Sequence, residues 1–253
     1  MADWTRTDRS IMARWWWTVD RWSLGALGLL IGFGAILIIA ASPPVAERIR
    51  LDEFHFVQRH LALLAPAALI LLAASMLSPT GVRRVAVLVL VGGMAGVVAT
   101  LVAGVEIKGA TRWIQVGGLS VQPSEFVKPA FAVIAAALFA RHKADDGARG
   151  NALSTALYAA IVLLLLLQPD LGMAVVVSAV WGLQFFLAGL PMALVAALAA
   201  VSVAGLVASY FAFDHVASRI DRFLDPASGD NYQVDRSIEA FMNGGLWGVG
   251  PGE

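Results

Sequence analysis

Apolar segments recur along this chain at about residues 23–41, 61–77, 85–105, 124–140, 152–167, 171–190 and 192–213, separated by short polar stretches. A bilayer crossing needs about 20 mostly apolar residues, and a helix satisfies its own backbone polar groups there without water. The pattern therefore predicts an all-α chain, a polytopic transmembrane helical bundle of about seven spans. Three regions follow: an N-terminal arm over 1–22, the bundle over 23–213, and an extracytoplasmic loop segment over 214–253 of mixed charge. The fifth and sixth segments form one long apolar stretch broken by Gln168-Pro169-Asp170-Leu171-Gly172. At about 1.5 Å per residue that stretch far exceeds a hydrocarbon core of about 30 Å, so it reads as a hairpin with its break at one surface.

Composition sharpens the reading at a few points. Hydrophobic residues make up 59% and charged residues 14%, with a mean hydropathy of +0.76, which places the chain in the membrane class. The formal net charge of +0 offers nothing to a nucleic acid, and the absence of cysteine removes disulfides from the account. Arg6, Arg9 and Arg14 precede an apolar run as in a signal peptide, but the run from Leu24 to Ala41 is too long for a cleaved one. It reads as a retained first span that stops at Pro43-Pro44. Together with Arg21, these arginines place the N-terminus in the cytoplasm. On that topology residues 106–122, the Gln168 turn and the tail from Asp214 face outward. Trp15, Trp16, Trp17 and Trp22 suit an interfacial aromatic belt.

The stretch from Arg112 to Lys128 drives charge into the start of the fourth span. A charge at mid-bilayer costs about 2.5–3.5 kcal/mol even on lenient insertion scales, so Glu125 and Lys128 default to a functional reading, with each other as partners. Gln122 stands near the cap, Pro123 at the first helical position, Ser124 beside it and Glu125 in the first turn, where the helix dipole favours an anion. Lys128 follows three residues later on the same face and pairs with Glu125 either as a structural tie or within a binding site. Arg112 adds more positive charge than one Glu requires. Gln168-Pro169-Asp170 repeats the pattern before the sixth span, so two Gln-Pro helix starts are expected at one outer cavity. Helix N-termini with Arg112 and Lys128 suit a diphosphate, while Glu125 and Asp170 would hold a bridging divalent cation, magnesium or manganese. Histidines 55, 60, 142 and 215 lack metal-ligand spacing.

Gly109-Ala110-Thr111-Arg112-Trp113-Ile114, Gln122-Pro123-Ser124-Glu125-Phe126-Val127-Lys128, Leu167-Gln168-Pro169-Asp170-Leu171-Gly172, Phe223-Leu224-Asp225-Pro226 with Asn231-Tyr232-Gln233, and Gly244-Gly245-Leu246-Trp247-Gly248 follow one another in order. From residue 109 onward this series resembles the SEDS family of shape, elongation, division and sporulation proteins. The Trp-rich arm, Ala41 to Arg48 and Phe54 to Arg59 are more similar to its cell-division branch than to its rod-shape elongation branch. The resemblance implies a family fold of about ten spans and a peptidoglycan glycosyltransferase that polymerises lipid II outside the bacterial cytoplasmic membrane, at the division septum. It implies a class B penicillin-binding protein, other division proteins and membrane lipid as partners. Arg112, Glu125 and Lys128 match the family's polar cavity, and Gln122, Ser124, Gln168 and Asp170 are read as further substrate-binding residues. The family's catalytic Asp lies in a His-Thr-Asp-Phe-like outer-loop motif that is expected beyond Glu253, so none of Asp214, Asp221 and Asp225 is assigned its role. Two other classes stay open on sequence: a lipid II flippase and a non-catalytic division scaffold.

Overall fold

The structure, a computed structural model, describes residues 10–107, 110–144, 149–225, 232–245 and 248. Arg6 and Arg9 of the arm, Gly109, Pro226, Asp230, Asn231 and most of the Gly-rich stretch after Gly245 lie outside the described residues. The chain packs as two compact units, residues 78–213 and residues 1–77 with 214–253. The boundary at 77/78 falls within the stretch read from sequence as one bundle.

The first unit opens with α1 (Ile11–Thr18), capped by Ser10, whose hydroxyl accepts from the Ala13 amide. Helix α2 (Arg21–Arg48) starts at Asp20, whose carboxylate accepts from the amides of Trp22 and Ser23. It runs through Pro43 and Pro44 instead of ending there. Proline removes a backbone donor but keeps a helical φ, so the pair costs hydrogen bonds without forcing a stop. Helix α3 (His55–Ser75) follows, and Ser75 accepts a bond of 2.9 Å from the Trp15 indole, tying the Trp cluster to the end of α3. Among the described residues of the tail lie two helices, α9 (Asp214–Leu224) and α10 (Tyr232–Gly244). In α10, Val234, Ile238, Phe241 and Met242 recur at helical spacing, the periodicity of an amphipathic helix that a charge tally hides.

The second unit carries α4 (Pro79–Ala103), α5 (Pro123–Ala144), α6 (Gly150–Leu167), α7 (Leu171–Leu187) and α8 (Met192–Ala212). Among the described residues, six helices, α2 to α6 and α8, are long and apolar enough to cross a bilayer, and α7 is a shorter apolar helix, so the seven expected segments are all helical. The all-α expectation needs one addition. Between α4 and α5 lies a three-stranded antiparallel sheet, β1 (Val105–Ile107), β2 (Ala110–Val116) and β3 (Leu119–Val121). Val116 pairs with Leu119 around Gly117 and Gly118, whose φ values of +57° and +81° make the tight two-residue hairpin that glycine allows.

Lipid tails are as apolar as leucine, so helices in a bilayer associate by close packing and interhelical polar contacts rather than by leaving water. The core does both. Phe131, Ala135, Ile161, Leu165, Val177 and Trp181 are buried where α5, α6 and α7 meet. Tyr158 stacks on Trp181 at 4.3 Å, the Tyr158 and Ser178 hydroxyls share a bond of 2.8 Å, and the Trp181 indole donates to Ser154. Gln184 of α7 donates to the Ala132 carbonyl of α5. On α4, Gly93 and Gly96 lie directly against the first turns of α5, with Val127 and Pro123 as neighbours.

Candidate functional site

The last turns of α4 are the platform on which the sequence-predicted residues meet. Gly96 faces Pro123, the first helical residue of α5, as expected for a proline whose missing N–H needs no partner there. The Gln122 carbonyl accepts from the Glu125 amide at 3.1 Å and its side-chain amide donates to the Ser124 hydroxyl at 3.1 Å, so Gln122 and Ser124 shape the helix start. Ser124 is buried. Lys128 Nζ lies 2.7 Å from Glu125 Oε2, the pairing that their spacing predicts. The pair is accessible: the Glu125 side chain is 53% exposed and that of Lys128 28%.

The second Gln-Pro motif is built differently from the first. Gln168 closes α6, Asp170 caps α7, and Pro169 lies between the helices rather than at a first helical position. Asp170 Oδ1 accepts from the Met173 amide at 3.2 Å, so the capping function that proline cannot supply falls to the aspartate. Gln168 is buried, and its Nε2 donates to the Thr100 hydroxyl oxygen of α4 and, at 3.4 Å, to the Val97 carbonyl.

Arg112 ties β2 to the reversal. From β2 it donates to the Pro169 carbonyl at 2.7 Å, and its Nη1 lies 3.5 Å from Asp170 Oδ1. The Asp170 side chain is 4% exposed against 29% for Arg112, so the arginine neutralises a carboxylate that has little water. Removing one member of such a pair is far costlier than its net contribution, because the other is left buried and uncompensated. Asp170 Oδ2, Gln168 Oε1 and Arg112 Nε are buried here with no protein partner.

Arg112 pairs with Asp170 and the reversal, while Glu125 pairs with Lys128. Among the described residues no group of three or more histidines or carboxylates is arranged to hold a metal. A magnesium ion is usually held by only one or two carboxylates, with water and phosphate oxygens completing its shell. Apolar packing fills the layer behind the two helix starts: a void of about 10 Å³ is walled by Met94, Val97, Val127, Ile161, Leu164 and Leu165. Sequence reading missed Thr100, Gly93 and Gly96. The close spacing of Gly92, Gly93 and Gly96 was the available signal, since small residues at helical spacing mark close approach in membranes. At the other end of α4 and α5 an open groove of about 920 Å³ is lined by Val82, Val87, Val133 and Ile134, with Arg83 and Arg141.

Residues 21–253 match the model of the cell cycle protein family that takes in FtsW, RodA and SpoVE. A relative from Caulobacter vibrioides, named as a probable peptidoglycan glycosyltransferase FtsW, is 43% identical over 98% of this chain and 64% of its own length. A relative of the same name from Shewanella sediminis is 32% identical over 92% of this chain and 58% of its own. The chain therefore spans less than two thirds of the length of these relatives. Among solved structures, a chain described under the coordination of polymerization and crosslinking by a peptidoglycan synthase complex superposes with a TM-score of 0.67. It is 28% identical and is matched over 91% of this chain and 67% of that one.

Proposed function

Because this chain belongs to the FtsW, RodA and SpoVE family of multi-pass membrane proteins, we propose that the protein it forms is a peptidoglycan glycosyltransferase of cell division that joins lipid II units into glycan strands. It lies in the bacterial inner membrane at the septum with its N-terminus in the cytoplasm, and works beside a class B penicillin-binding protein that crosslinks the product. The names of its relatives support the activity. The observation in this chain that carries the reading is the accessible Lys128 at the start of α5, together with a reversal braced by Arg112.

Lipid II presents a diphosphate that becomes the leaving group when a glycosidic bond forms. Lys128 meets that group as a point charge, exchanging Glu125 for phosphate oxygens, and the N-terminal amides of α5 add their partial positive charge. Cations already held where charge develops on a leaving diphosphate lower the barrier without having to reorganise. Gln122 and Ser124 set the helix start, and Arg112 holds the reversal with Gln168 and Asp170 in register beside it.

The test uses the full-length protein with its class B partner in membranes and labelled lipid II, with products resolved by gel. Glycan strands are expected. Lys128→Met, which keeps length and removes charge, is expected to weaken lipid II binding while the protein still inserts. Unchanged binding with lost folding would make the Glu125 and Lys128 pair purely structural. Labelled lipid II that changes sides without polymer would favour transport.

A further inference from the structure

We propose that Thr100 is a positioning residue for this site, holding the reversal of Gln168, Pro169 and Asp170, and through it Arg112, in place against α4; this rests on the glycosyltransferase reading above. Thr100 is fully buried. Its hydroxyl donates to the Val97 carbonyl at 2.7 Å, one turn back in α4, a bond common for threonine inside helices. The spent proton is what gives the residue its second use. With the hydrogen committed to Val97, the oxygen faces Gln168 as an acceptor and receives its Nε2 across a separation of 68 residues. The same amide nitrogen reaches the Val97 carbonyl at 3.4 Å, so two acceptors on α4 fix which way round the Gln168 amide sits.

The consequences run outward from that contact. Gln168 is the last residue before the reversal, and the next two residues carry everything that Arg112 binds: the Pro169 carbonyl and the Asp170 carboxylate. Asp170 in turn starts α7 by capping Met173. Among the described residues, and apart from the Asp170 cap on Met173, the side-chain hydrogen bonds and ion pairs between the reversal and other elements are those of Gln168 to α4 and Arg112 to the reversal. If the Gln168 contact is lost, the Pro169 carbonyl and Asp170 are free to move relative to α4, and Arg112 moves with them. Gly96 seats the start of α5 on the same stretch of α4, so Thr100 sets the spacing between Arg112 and the Lys128 side of the site.

The experiment uses the full-length protein with its class B partner in nanodiscs. Thr100→Val keeps the shape and deletes the hydroxyl; Thr100→Ser restores it; Gln168→Met removes the same bond from the other side and serves if Thr100→Val folds poorly. Thr100→Val and Gln168→Met are expected to lower kcat/KM for lipid II by about tenfold, the scale of a lost buried hydrogen bond, with Thr100→Ser near the parent. In an Arg112→Gln background Thr100→Val should add little further loss of kcat/KM, because both act through the same reversal. Independently of activity, spin labels at Gln115 and Leu183 should report a distance distribution that broadens in Thr100→Val and Gln168→Met but not in Thr100→Ser. Additive losses with Arg112→Gln, or an unchanged distance distribution, would overturn the positioning role. A parent protein that makes no polymer would defeat the glycosyltransferase reading alone, and the label distances would still decide the role of Thr100.

Discussion

Replacing Gly96 by alanine tests how tightly α4 and α5 must approach for the site to form. A Cβ at this position would lie 2.8 Å from Pro123 Cβ and 3.0 Å from its Cγ, where carbon atoms ordinarily rest about 3.5–4.0 Å apart. A proline ring fused to the backbone has no flexible end to turn aside. The first turn of α5 must therefore retreat by up to about 1 Å. Overpacking of this kind costs about 1–3 kcal/mol. Alanine is the better helix former by about 1 kcal/mol, which leaves a net loss of roughly 0–2 kcal/mol. Gly92→Ala is the matched control on the same helix, because its Cβ would meet nothing within 4 Å and only the propensity gain remains. The two variants should differ by about 1–3 kcal/mol in unfolding from mixed micelles. Activity should separate them further, since a displacement of about 1 Å at a catalytic site can cost about 100-fold in rate, and the retreating turn carries Ser124, Glu125 and Lys128. Equal stability and equal lipid II turnover for Gly96→Ala and Gly92→Ala would refute the claim that this glycine contact sets the site.

Arg112→Gln should destabilise the protein more than Asp170→Asn. The first leaves a carboxylate that is 4% exposed without its cation, a loss of up to about 3–5 kcal/mol reduced by the partial exposure of Arg112, while asparagine still caps Met173; the reverse order in the same unfolding assay would show that Arg112 is not the counterion. At the start of α2, the Ser23 hydroxyl and then the Trp22 amide, both bonded to Asp20, hold its carboxyl below the ordinary value of 3.8. A folded value below the unfolded one means that the cap contributes above pH 3.8 and is lost as pH falls through the lower folded value. Hydrogen exchange at the Trp22 and Ser23 amides should accordingly keep its protection down to about pH 4 and lose it below, and Asp20→Asn should remove that pH dependence.

What the sequence determined by itself is what depends on a few neighbouring residues. Hydropathy located every apolar helix, because the bilayer demands length and apolarity of each span separately, whatever lies beside it. Pro123 as a first helical residue and the Glu125 to Lys128 pair were legible for the same reason, since helical periodicity places positions three apart on one face. The Gly117-Gly118 hairpin was equally local but was hidden by its place in a charged connector. Tertiary structure alone decided which charges distant in sequence meet. Arg112 was read with Lys128 as a cation for a diphosphate, and it crosses 57 residues to Pro169, while Gln168 crosses 68 to Thr100. Nothing in the apolar pattern selects those partners, because in lipid one apolar helix face is as well solvated as another. Neighbours are chosen instead by where small residues such as Gly93 and Gly96 permit close approach and by which buried polar groups then find one another.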